Sequence, residues 1–129
     1  MRREYLLVDE ESCETIIPHL QLAITFWQRF RGLQFRSELA KNHGLLICNC
    51  KSIHTHWMRF SIDVAMLDAR GFVLAFHSKL RPWRMLAGPK GTHSILEAPA
   101  STLQLHIGQR LAIRTADNSH LSPPVLFSD

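Results

Sequence analysis

A regular alternation between apolar and other residues constrains the fold more than any other feature of this sequence. From Met58 to Met66, every even-numbered residue has a large apolar side chain, whereas the odd-numbered residues are polar or small. A period of two is typical of a β-strand with one buried face. Residues 68–71 have turn chemistry, because Gly71 takes a positive φ without strain. The apolar residues 72–76 then complete a predicted β-hairpin.

Short apolar segments bounded by turn residues predict further strands along the chain. They cover residues 4–8, 20–25, 45–48, 93–97 and 111–114. The apolar stripe in residues 26–39 predicts a helix, and Pro99 predicts the start of a short second helix over residues 100–105. We therefore expect a mainly β (β-rich α+β) fold, a small compact β-barrel or sandwich with one or two short helices.

The composition is that of a single folded domain. The 129 residues are 46% hydrophobic and 20% charged, which allows one core and excludes a disordered chain. We expect one domain over residues 1–129, with a loosely held tail at 118–129. No apolar run approaches the length of a membrane span, and the first residues lack a signal-peptide core. A cytoplasmic protein with reduced cysteines is expected.

The charge pattern argues against nucleic-acid binding. The formal net charge is only +4, and no run of five basic residues occurs. Aromatic and basic residues are interleaved at positions 26–31, which is one way to stack on bases. At helical spacing, however, these aromatic residues are more simply explained as core. We expect no nucleic-acid partner.

A series of short motifs occurs along the chain in a fixed order. The motifs are Arg31-Gly32-Leu33, Ile53-His54-Thr55, Met58-Arg59-Phe60, Ile62-Asp63, Leu67-Asp68, Gly71, Arg81-Pro82-Trp83-Arg84, Leu96-Glu97 and Gly108. Together they resemble the domain-of-unknown-function family 192, a widespread group of small prokaryotic proteins, over about residues 20–114. The spacing from Cys50 to Met58 is similar to one branch of that family. The resemblance implies a small β-rich barrel, and it implies no established biochemical activity.

Four potential metal ligands lie just before the predicted hairpin, namely Cys48, Cys50, His54 and His56. Zinc and copper prefer thiolates and imidazoles, and four such groups complete a tetrahedron. Their spacing is not a recognised zinc signature, and only Cys50 and His54 match the family motif. Alternatively, the cysteines pack as small hydrophobic residues. No cofactor is therefore the first expectation, with zinc at Cys50 and His54, or a reactive Cys50 thiolate, as alternatives.

Charged side chains in and after the hairpin form a second candidate site. Arg59 and Asp63 share one face of the predicted strand, and Arg84 has the geometry to pair with Asp63 or Glu97. A structural ion-pair network is the simpler interpretation. The functional alternative is a pocket for an anionic group.

The sequence favours a non-catalytic binding or accessory module over an enzyme. The predicted ligand-binding residues are His54, Trp57, Arg59, Asp63, Trp83 and Arg84. In this hypothesis the arginines contact an anionic group of a small ligand or a protein partner. The tryptophans supply flat apolar area, and His54 supplies a pH-sensitive contact. The competing hypothesis is a metal-binding or thiol-dependent protein that uses Cys50 and His54.

Overall fold

A computed structural model describes residues 4–23, 41–56 and 58–115. The strands are β1 Tyr5–Asp9, β2 Thr15–Ala23, β3 His43–Cys48, β4 Ser52–His54, β5 Ile62–Leu67, β6 Val73–Leu80, β7 Met85–Ala87, β8 Ser94–Pro99 and β9 Leu111–Thr115. Strands and loops account for all the described residues, which confirms the mainly β prediction. None of these residues forms a helix with the length and hydrophobicity that crossing a bilayer requires. The helix predicted over 26–39 and the tail at 118–129 lie outside the described residues.

Seven strands form one sheet, and β4 and β7 form a separate two-stranded ribbon. The order in the sheet is β6-β5-β8-β3-β2-β1-β9. Only β2 and β3 pair in parallel among the described strands, and residues 24–40 connect them, as a parallel pair requires a crossover. The two edge strands approach each other through one bridge, between Phe72 and Arg110. The described strands therefore form an open, curled sheet and not the closed barrel that was one prediction.

The predicted hairpin is confirmed, although its first strand begins later than the alternation suggested. Strands β5 and β6 pair antiparallel, and Gly71 has a φ of 89° in the turn between them. Asp68 Oδ1 accepts the N–H groups of Arg70 at 2.8 Å and Phe72 at 2.9 Å, which fixes that turn. The N–H of Met58 instead donates to the Thr55 carbonyl at 3.3 Å, so a turn occupies the start of the predicted strand.

Strand β5 is buried on both faces, so the prediction of a half-buried strand was wrong. All six of its residues are buried. Ile62, Val64 and Met66 pack in one hydrophobic core, whereas Ala65 and Leu67 pack in a second core. The alternation thus divides the side chains between two cores and not between core and solvent. The β4–β7 ribbon contributes to the first of these cores.

The short helix predicted over residues 100–105 is also wrong, because this segment forms a loop. Pro99 ends strand β8 and does not begin a helix. Ser101 has a φ of 67°, which is incompatible with a right-handed helix. The carboxylate of Asp63, on β5, accepts hydrogen bonds from N–H groups of this loop.

Candidate binding surface

Thr55 is buried beneath the loop at residues 81–84 and holds it with four hydrogen bonds. The Thr55 hydroxyl donates to the Arg81 carbonyl at 2.7 Å and accepts the Arg84 N–H at 2.8 Å. The Thr55 N–H donates to the Arg84 carbonyl at 2.7 Å, and the Thr55 carbonyl accepts the Trp83 N–H at 2.9 Å. Thr55 is 1% exposed, so these bonds are shielded from water. We call this arrangement the Thr55 clamp.

The Thr55 clamp keeps Trp83 in a costly backbone conformation. Trp83 has a φ of 64°, in the left-handed region that bulky residues avoid at a cost of about 1–2 kcal/mol. Its side chain is nonetheless 53% exposed. The indole meets the His56 imidazole edge-on, with 5.2 Å between ring centroids and an angle of 88°. Strain of this kind persists only where surrounding contacts enforce it, and it concentrates at functional sites.

The outer face of the β4–β7 ribbon continues this surface. His54 on β4 is the direct cross-strand partner of Met85 on β7, and both side chains are exposed. The adjacent Ile53 points the other way, into the core. The His54 and His56 rings lie 5.1 Å apart at 54°. A row of rings therefore runs from His54 through His56 to Trp83.

The charge on this part of the molecule is positive. Residues 39–62 and 69–96 contain no aspartate or glutamate, but they hold eight of the fifteen lysines and arginines. Arg59, Arg81 and Arg84 are exposed. We use the name Trp83 surface for His54, His56, Arg59, Arg81, Trp83, Arg84 and Met85.

Asp63 lies apart from the Trp83 surface, inside the protein. Its side chain is 0% exposed, and its carboxylate accepts four backbone N–H groups. Oδ1 accepts from Lys79 at 3.0 Å and Ser101 at 3.1 Å. Oδ2 accepts from Thr102 and Leu103, both at 3.0 Å. We call this arrangement the Asp63 hub, because it joins the loop after β8 to an irregularity in the β5–β6 pairing.

The Asp63 hub gives the carboxylate a structural environment. Within the described ranges, its hydrogen-bond partners are main-chain amides, and no ion pair joins it to Arg59 or Arg84. Glu97 is likewise buried, at 4% exposed, and lies on β8. The structure therefore brings His54, Trp83 and Arg84 together and places Asp63 elsewhere. Trp57 lies outside the described residues.

The predicted metal ligands are not brought together as a group of four. Cys48 is fully buried, and its thiol lies 3.9 Å from the Leu46 carbonyl. The Cys50 thiol donates to the Ser52 carbonyl at 3.0 Å. Among the described residues, no three side chains of histidine, cysteine, aspartate or glutamate converge as metal ligands. Zinc at Cys50 and His54, and a reactive Cys50, stay predictions.

Three residues of this region, Thr55, Arg81 and Met85, were not among the predicted site residues. A signal for Thr55 was present, because it lies between two histidines in an extended segment and so points away from both. Met85 had no local signal, since its position follows from the pairing of β4 with β7. That pairing joins segments about thirty residues apart in the chain.

Comparisons with known proteins confirm the family resemblance. The family model DUF192, described as "Uncharacterized ACR", matches residues 8–113. A UPF0127 protein from Thermococcus gammatolerans is 29% identical over 133 residues, which covers 95% of this chain and 84% of the relative. A UPF0127 protein from Thermococcus kodakarensis is 28% identical over 130 residues, with 93% and 80% covered.

Solved structures show the same fold. A crystal structure from Sinorhizobium meliloti, of a protein provisionally named a transcription regulator, is similar with a TM-score of 0.74 at 21% identity. It covers 89% of this chain, and 95% of that chain is matched. A protein of unknown function from Novosphingobium aromaticivorans has a TM-score of 0.69 at 16% identity, with 84% and 82% covered. At these identities the likeness concerns the fold alone.

Proposed function

We propose that this chain, a member of the family DUF192, is a non-catalytic binding module whose Trp83 surface holds an anionic ligand. The observation that carries the proposal is the Thr55 clamp. Four hydrogen bonds from one buried residue fix a loop whose Trp83 is both strained and exposed. A loop with a purely connecting role gains nothing from a strained, exposed indole, because glycine adopts this φ at no steric cost.

The chemistry of the Trp83 surface supports an anionic partner. Arginine and tryptophan are the residues most enriched where binding energy is concentrated. Arg81 and Arg84 lie on either side of Trp83 in the sequence, within a segment, residues 69–96, that contains no aspartate or glutamate. The imidazoles of His54 and His56 add polar groups that can donate hydrogen bonds. The indole supplies flat apolar area beside these charges.

The proposed surface omits two residues that the sequence hypothesis included, namely Trp57, which lies outside the described residues, and Asp63. Asp63 is buried, and its carboxylate already accepts four N–H groups. Its contribution to binding is therefore indirect, through the stability of the sheet. Arg59 is retained because it is exposed and follows the turn between Thr55 and Met58. We place this function in the cytoplasm, with a small anionic ligand as the first candidate partner.

The test is an NMR titration that observes the Trp83 indole directly. The protein has three tryptophans, so the variant Trp83→Phe assigns the indole N–H signal of Trp83. Inorganic pyrophosphate and a hexaglutamate peptide are titrated separately at constant ionic strength. We expect a saturable shift of the Trp83 indole and the Arg84 amide. A response to the peptide alone identifies the partner as an acidic protein segment.

Matched arginine variants show whether the response is local. Arg84→Ala is expected to weaken binding about tenfold, which corresponds to one charge-assisted contact. Arg70→Ala removes an exposed arginine at the β5–β6 turn, outside the Trp83 surface, and is expected to leave binding unchanged. No saturable shift with either probe, or equal weakening in both variants, would overturn the proposal.

A further inference from the structure

We propose that the outer face of the β4–β7 ribbon binds Cu(I) through His54, His56 and Met85. This site goes beyond the anion binding proposed above and uses a different chemistry. It also differs from the cysteine–histidine set considered from the sequence. Its ligands are two imidazoles and one thioether, all on the exposed side of the ribbon or at its end.

The spacing of the two imidazoles suits a shared ion. When two imidazole nitrogens bind one ion at about 2.0 Å in a tetrahedral or trigonal arrangement, the ring centroids are about 5 Å apart. The His54 and His56 centroids are 5.1 Å apart, and the rings are inclined at 54°. A parallel stack, in contrast, keeps the nitrogens from pointing at one position. The exposed His19 and His43 form such a stack, with centroids 4.8 Å apart at 25°.

Met85 is placed to supply the third ligand. It is the direct cross-strand partner of His54, and the β-carbons of such partners lie about 4.5–5.5 Å apart on the same face. Both side chains are long enough to meet over that distance. Met85 is 79% exposed, so its thioether is not used for packing in the core. The site therefore combines one soft metal ligand, the exposed thioether, with two borderline ligands, the imidazoles.

The ligand types favour Cu(I) over zinc. Thioethers and imidazoles suit Cu(I), whereas structural zinc sites are completed by thiolates, imidazoles or carboxylates. In the described part of the chain, no third histidine, cysteine, aspartate or glutamate converges with His54 and His56. Arg84 precedes Met85 and disfavours any cation. A single charge suffers half the repulsion that a divalent ion meets at the same distance.

The test is a competition for Cu(I) with bathocuproine disulfonate, using untagged protein without oxygen. The background variant Cys13→Ser removes an exposed thiol that would bind the ion by itself. We expect one equivalent of Cu(I) per chain. Met85→Leu keeps the size of the side chain and removes its sulfur, and should weaken the affinity about tenfold or more. His54→Gln should weaken it by a similar factor.

Two control variants separate this site from other sources of binding. His19→Gln removes an exposed histidine elsewhere and is expected to leave the affinity unchanged. Cys50→Ser is also expected to leave it unchanged, because Cys50 is not a ligand in this proposal. Binding that survives Met85→Leu but is lost in Cys50→Ser overturns the proposal, and so does the absence of any binding.

A direct readout at the sulfur makes the result independent of affinity changes caused by altered folding. Ag(I), which mimics Cu(I) without redox chemistry, should shift the methyl carbon signal of Met85 and leave that of the buried Met66 in place. An unshifted Met85 signal at saturation contradicts the proposal. Arg84→Ala should weaken pyrophosphate binding but not Cu(I) binding, so this variant shows whether the two proposed sites are separate.

Discussion

Thr55 and Asp63 each organise a loop from inside the protein, but the two loops present different groups to solvent. Asp63 accepts four N–H groups and joins the loop after β8 to the β5–β6 pair. The Asp63 carboxylate is buried, and its role is structural. Thr55 likewise binds its loop through its hydroxyl, N–H and carbonyl groups, yet this loop displays a half-exposed indole between two exposed arginines. In both places a buried residue holds a loop by hydrogen bonds to its backbone. At Asp63 the result is a closed connection, and at Thr55 it is an exposed surface.

The residues held in left-handed conformations sharpen this difference. The Asp63 hub stabilises Lys79 and Ser101, at φ values of 56° and 67°. Neither side chain is β-branched or as bulky as an indole. The Thr55 clamp holds Trp83 at 64°, where a bulky side chain carries a larger steric cost. The proposed binding role of Trp83 accounts for a costly residue in an exposed position.

The largest expected effect is the loss of the Asp63 carboxylate. Asp63→Asn keeps the shape but replaces one acceptor oxygen by an amide group, which then faces N–H donors in a buried site. We expect a loss of more than about 3 kcal/mol in the free energy of unfolding, measured by urea denaturation. Asp68→Asn is the control, since Asp68 accepts two N–H groups at a partly exposed turn. Equal losses in both variants would show that the hub has no special role.

A smaller effect is expected when the Thr55 hydroxyl is removed. Thr55→Val preserves the volume and leaves the Arg81 carbonyl and the Arg84 N–H without their partner. We expect a loss of about 1–2 kcal/mol in the free energy of unfolding and faster hydrogen exchange at the Arg84 amide. Thr55→Ser retains the hydroxyl and should retain slow exchange. A Thr55→Val protein with unchanged exchange would mean that the hydroxyl does not hold the loop.

Replacement of Trp83 should separate stability from binding. Trp83→Gly relieves the left-handed strain and is expected to raise the free energy of unfolding by on the order of 1 kcal/mol. Loss of the contact with His56 reduces this gain. The same variant should lose pyrophosphate binding. Thermal unfolding and the titration of the Arg84 amide measure the two effects. A destabilised protein that still binds would indicate that the indole serves packing and not recognition.

The smallest effect concerns Asp9, a partly exposed counterpart of the Asp63 hub. The Ser12 N–H at 2.9 Å and the Gln109 side-chain amide at 2.7 Å hold the pKa of Asp9 below its ordinary value of 3.8. Because the pKa is lower in the folded state, the stabilisation is present above the ordinary pKa and is lost as pH falls below it. Urea denaturation at neutral pH and at about pH 3 should show a shallower pH dependence in Asp9→Asn. An unchanged dependence would contradict this assignment.

Much of the fold was predictable because its signals are local. The alternation before Met66 and the turn at Gly71 identified the hairpin, and short apolar segments identified most other strands. The burial of β5 on both faces was not predictable, since it depends on how distant strands cover the sheet. The same limit applies to Asp63, whose partners lie 16 to 40 residues away. A carboxylate in an alternating strand resembles a solvent-facing residue until those partners are known.

The candidate site was partly predictable, because some of its residues belong to local sequence motifs. His54, Trp83 and Arg84 were selected from motifs, and the structure places them on one surface. The motifs also suggested Asp63, because charge alone does not distinguish a ligand-binding carboxylate from one that accepts backbone amides. Thr55 makes its side-chain bonds to residues 26 and 29 positions further along the chain. Only the folded arrangement shows that this residue positions the Trp83 surface.

The most direct test of the account is the pyrophosphate titration of Thr55→Val and Thr55→Ser, observed at the Trp83 indole and at a temperature where both proteins are folded. Neither substitution alters a group that contacts the ligand. We predict that Thr55→Ser binds like the wild type and that Thr55→Val binds about tenfold more weakly, because its loop is no longer held in place. Equal and wild-type binding by the two variants would contradict the claim that Thr55 holds the loop in its binding conformation.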